Sequence, residues 1–74
     1  MTYNEQCIEG ATRAQLDYIA SCDAEALRDC LESMVHHYGN AVGLDAPVTS
    51  AERAKLLAAD TMLINYARAR LALA

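Results

Sequence analysis

Advancing each residue by about 100° around a helical wheel sorts the apolar positions of this chain into three helical segments. In residues 3–21, Tyr3, Cys7, Ala11, Ala14 and Tyr18 fall on one narrow face, flanked by Ile8 and Ile19. Glu5, Glu9, Arg13 and Asp17 lie away from it. The second segment, 24–38, is the cleanest. Ala26, Leu27, Cys30, Leu31, Met34, Val35 and Tyr38 share one face, and Glu25, Arg28, Asp29, Glu32, Ser33 and His36 share the other. That is the ordinary patterning of an amphipathic helix.

These two segments do not form one continuous rod. Carried through unbroken, the apolar face would jump by roughly half a turn between Tyr18 and Leu27. "SCDAEAL" reads as a restart, with Ser21 or Asp23 placed to cap the next amides and Glu25 in the first turn. Gly39 is a left-handed stop, and His36 and His37 sit near the negative end of the second helix. The connection "GNAVGLDAPVTS" holds most of the turn formers, and Val42, Leu44 and Val48 are expected to tuck against the bundle. Thr49 with Glu52 three residues on makes a capping box that opens the third helix, 50–73.

That third helix carries apolar residues around most of its circumference. Leu57, Ile64 and Leu71 lie on one side, Leu56 and Leu63 on another, and Ala51, Ala58, Met62 and Ala69 on a third, with Tyr66 beside them. Such a helix is normally enclosed on all sides. Two short companions offer too little cover, so the economical cover is a second copy of the chain. The expected contact surface is Leu56, Leu57, Asp60, Met62, Leu63, Ile64, Tyr66 and Leu71. Asp60 is its puzzle, because its neighbours three and four positions away, Leu56, Leu57, Leu63 and Ile64, are all apolar. If it is buried it needs a partner, with Arg13, Arg28, a tyrosine hydroxyl or a second copy's Arg53 as candidates. The alternative is plain exposure.

Composition supports this all-α reading. The 74 residues suit one small domain, and alanine and leucine carry an apolar share of 54% with no Phe or Trp. A chain this short buries only about 60% of its unfolded surface, a further reason to expect an oligomer. The net charge of −4 is uneven. Residues 1–46 hold eight acids against Arg13 and Arg28, whereas 47–74 hold Glu52 and Asp60 against Arg53, Lys55, Arg68 and Arg70. That balance argues against direct nucleic-acid binding, which needs clustered cations. Three cysteines are no disulfide framework, and no apolar run reaches the roughly 20 residues of a membrane span. Without a signal-like start, a reducing cytoplasm is the expected compartment.

Candidate chemistry adds little. Cys7, Cys22, Cys30, His36 and His37 lack the close pairing of a zinc site, so no metal or other cofactor is expected. A Cys–His nucleophile would need an exposed thiolate beside an oriented base, so no enzyme activity is expected either. The sequence therefore predicts a homodimeric or larger helical bundle that binds and regulates or inhibits another protein. Glu25, Asp29, Glu32 and His36 form a possible acidic contact face for that partner. Two alternatives remain: an acidic mimic of nucleic acid acting on a basic protein, and an oligomer holding a nucleotide or metabolite between subunits through Asn65, Tyr66, Arg68 and Arg70.

Overall fold

A computed structural model describes all residues, Met1–Ala74. It contains α1 (Tyr3–Ser21), α2 (Ala24–His37) and α3 (Ser50–Leu73), with no strand. The element boundaries follow the caps. Thr2 and Thr49 each cap their helix, and each meets a glutamate three residues on, Glu5 and Glu52, in a reciprocal capping box. Asp23 caps α2 by accepting from the Ala26 amide. α2 stops one residue earlier than expected, at His37, with Tyr38 as its cap and Gly39 in the left-handed region at φ 74°.

α3 is the hub. Both α1 and α2 pack along it and barely touch each other. α1 runs parallel to α3: Asn4 meets Glu52 at one end, and Ile19 joins Leu63 and Ala67 at the other. α2 returns antiparallel, its end reaching Asp60 and Thr61 midway along α3. The core sits where α1 turns into α2, built from Ile19, Leu27, Cys30, Leu63 and Ala67. Leu16, Leu31, Met34, Tyr66 and Leu71 pack around it, half-buried.

Two expectations are corrected here. The inner face of α1 is Asn4, Ile8, Thr12, Gln15 and Ile19, whereas Tyr3, Ala11, Ala14 and Tyr18 of the expected seam are exposed. The inner stripe is partly polar because each polar group finds a partner. Asn4 bonds the backbone of Asp45 in both directions, Thr12 donates to the Ile8 carbonyl, and the Gln15 amide donates to Cys30 Sγ. Val42, expected to tuck in, is 81% exposed; Leu44 and Val48 are half-buried as anticipated.

The parallel α1–α3 pair brings two helix N-termini, each a partial positive charge, side by side. Glu52 neutralises that end. Its carboxylate accepts from the Thr2 hydroxyl (2.6 Å), the Asn4 amide (3.1 Å) and the Thr49 backbone N–H (2.9 Å), and only 5% of the residue is exposed. Those donors, Thr2 first and then Thr49 and Asn4, pull its pKa from the ordinary 4.5 to about 2, against the opposing effect of burial. Beside it, Lys55 bonds Glu9 at 2.9 Å and lies 3.8 Å from Glu5.

Candidate functional site

Because α1 and α2 lean on α3 without closing on each other, a groove of about 260 Å³ remains between them. Its floor is α3: Leu56, Ala59, Asp60, Leu63 and Ile64. Ile8, Ala11, Thr12 and Gln15 line one bank, and Ser33, Met34 and His37 the other. The Gln15 to Cys30 hydrogen bond, 3.2 Å, ties the two banks near the core end. Seven of the twelve lining residues are apolar, so the groove offers a greasy floor under a few polar side chains.

Asp60 is the only formal charge in that lining. Its Oδ2 accepts from the Gly39 backbone N–H at 2.8 Å. None of the cations or hydroxyls considered from sequence meets it; a backbone amide just past the end of α2 does. Glycine suits that amide because its φ of 74° is left-handed, and a Cβ there would stand 3.1 Å from Leu57 Cδ2, close enough that the leucine would have to give by a few tenths of an ångström. Tyr38 and Thr61 share a hydroxyl hydrogen bond of 3.0 Å, and Arg53 Nη1 lies 3.5 Å from the Gly39 carbonyl. The end of α2 is therefore pinned, and the far bank of the groove with it.

The eight α3 positions expected to contact a second copy are not one surface. Leu63 and Ile64 are buried within the single chain, and Leu56 and Asp60 are half-buried in the groove floor beside them. Tyr66 and Leu71 pack on the core, Leu57 lies under Gly39, and Met62 is exposed on the side towards α1. The exposed positions of α3 between its ends include Ala51, Arg53, Ala54, Ala58, Thr61, Met62, Asn65, Arg68 and Ala69, mostly small or uncharged residues with two arginines among them.

Glu25, Asp29, Glu32 and His36 are all exposed on α2, and none of the three acids makes an ion pair within the chain. Asn65 and Arg68 line a shallow hollow with Val35 and Tyr38, while Tyr66 and Arg70 do not join it. The cysteines are free. Burial, with Cys22 nearby, pushes the Cys30 thiol up against the lowering effect of its Gln15 bond, which keeps it protonated at neutral pH. No three His, Cys, Asp or Glu side chains stand close enough together to hold a metal ion. No helix is long and apolar enough to cross a membrane.

Sequence reasoning missed the Thr2–Asn4–Asp45–Glu52 cluster, although "TYNE" repeats the same capping-box spacing as "TSAE". It also missed the groove, whose banks lie on helices that only the tertiary fold brings opposite each other. The chain matches no family model, no curated protein and no solved structure.

Proposed function

We propose that this chain is a non-catalytic helical interaction module that binds and regulates another protein and also associates with itself. The groove carries this reading. It is apolar at its floor and open along its length, and one wall is fixed by the Asp60–Gly39 bond. Helix-in-groove recognition works on such a surface: a partner helix lays an apolar face, spaced three and four residues apart, between two helical banks. His37 and Ser33 on one rim and Gln15 on the other give polar contacts at the edges. Three free cysteines suit a reducing compartment, and we place the module in the cytoplasm.

The test is affinity capture from the source cell with the wild-type chain and with Met34→Asp, which puts a charge on a half-buried position of the bank. A protein retained by the first and lost by the second supports the reading, provided circular dichroism shows the variant folded. Ser33→Arg, at an exposed lining position, gives the same comparison without disturbing packing. Partners captured equally by all three chains would remove the groove from the function.

A further inference from the structure

Asp60 is anchored through one oxygen only. Oδ2 accepts from the Gly39 amide at 2.8 Å, whereas Oδ1 has no donor within the chain and is open to solvent in the floor of the groove. We infer that the groove's partner is a basic amphipathic helix, which sets a lysine or arginine on Asp60 Oδ1 and apolar side chains over Met34, Leu56 and Ala59. The inference rests on the groove reading above and gives the chemistry of its occupant.

Any body that docks here strips water from Oδ1. A carboxylate oxygen covered by hydrocarbon and left without a donor is strongly disfavoured. A wholly apolar helix face is therefore rejected by the floor it would otherwise fit. A cation that reaches Oδ1 reverses that effect with a charge-assisted hydrogen bond. The chain does not supply one itself. Lys55 is held by Glu9 and Glu5, and Arg53, roughly two turns back along α3, lies beside the Gly39 carbonyl and forms no ion pair with Asp60.

The surroundings carry the same sign as Asp60. Both banks come from residues 1–46, which hold eight acids against Arg13 and Arg28. Arg13 faces the hollow on the opposite side of α1, and Arg28 is outside the groove lining. On α2, Glu25, Asp29, Ser33 and His37 stand four residues apart and form one ridge, so two exposed acids continue the rim that Ser33 and His37 begin. The rim on α1, at Ala11 and Gln15, is uncharged. A helix with a basic residue at its centre and others along its α2 side meets opposite charge at each.

Size separates a helix from a small molecule. Cavities that enclose a drug-sized ligand measure about 300–1,000 Å³. This groove has about 260 Å³ and stays open along its length. It suits side chains reaching in from a backbone that remains outside.

A library of short helical peptides, randomised at the i, i+3, i+4 and i+7 positions of one face, tests this on the full chain. Retained peptides are expected to carry Lys or Arg at one of those positions among apolar residues. Asp60→Asn keeps an oxygen for the Gly39 amide and should weaken such a peptide by more than about tenfold. Replacing the peptide's cation by norleucine should do the same on wild type but change little further on Asp60→Asn. A merely structural role of Asp60 would not produce that coupling. Additive losses would overturn the pairing of the cation with Asp60. Retained peptides that are wholly apolar and are lost on Ser33→Arg would overturn the basic partner while leaving the groove reading intact. Peptides retained equally by wild type, Asp60→Asn and Ser33→Arg, or a library from which none is retained, would overturn both.

Discussion

Ile19→Ala should remove about 3 kcal/mol of stability, and the figure can be built from where the side chain sits. Ile19 is fully buried and packs with Leu27, Cys30, Leu63 and Ala67 where all three helices meet. Truncation deletes three carbons, at about 0.8 kcal/mol for each buried methylene. The void left among helices already tied to one another collapses only in part, adding about 1 kcal/mol at about 24 cal/mol per Å³. A chain of 74 residues has a total stability of about 4–11 kcal/mol, so the variant approaches the margin of folding. The melting temperature should fall by about 12–25 °C. Thermal and urea unfolding followed by far-UV circular dichroism, at low micromolar concentration so that self-association does not contribute, reads this directly. The internal control is Ile8→Ala. Ile8 is 4% exposed but borders hollows on both sides of α1, so its removal opens a surface dent in place of a sealed void. It should cost about half as much. An Ile8 variant as destabilised as the Ile19 variant would refute this placement of the core.

Glu52 gives the chain an acid limb. Its folded pKa of about 2 lies below the ordinary 4.5, so its contribution is complete at neutral pH and is lost as pH falls from about 4.5 towards 2. Urea midpoints taken down that range should decline in wild type and decline less steeply in Glu52→Gln, which should also be the weaker protein at pH 7; parallel curves would show that Glu52 does not govern the decline. Asp60→Ala frees the Gly39 amide and should cost about 1–2 kcal/mol, whereas Asp60→Asn keeps an acceptor and should cost less. Faster hydrogen exchange at Gly39 in the alanine variant is the specific sign, and unchanged exchange would mean that something else holds the end of α2. Thr49→Ala should cost about 1 kcal/mol as a lost cap. Thr2→Ala should cost more, because Thr2 both caps α1 and donates to Glu52, and Thr2→Ser should restore most of the loss in the same melts.

The helices were legible in the sequence because their ends carry local chemistry. Thr49 with Glu52, Asp23 and Gly39 act on amides within a few residues of themselves, so their spacing alone marks a boundary. The inner face of α1 was not legible. Asn4, Thr12 and Gln15 look like surface residues until their partners are known, and those of Asn4 lie more than forty residues away. Hydrophobicity therefore pointed to Tyr3 and Tyr18, which the single chain leaves outside. Asp60 was legible as an anomaly but not as a solution. Candidate partners were sought among side chains, and a backbone amide leaves no mark in composition. The groove depends on an angle between helices that no local pattern encodes.

That α1 and α2 lean on α3 and hardly on each other bears on how the chain is made. A nascent polypeptide that has reached only the second helix can set Ile19 against Leu27 but has neither Leu63 nor Ala67 to close the core over them. The clasp at Asn4 likewise waits for a glutamate emerging 48 residues later. Until α3 emerges, most of the surface that the first two helices bury, and the carboxylate that Asn4 holds, has no counterpart.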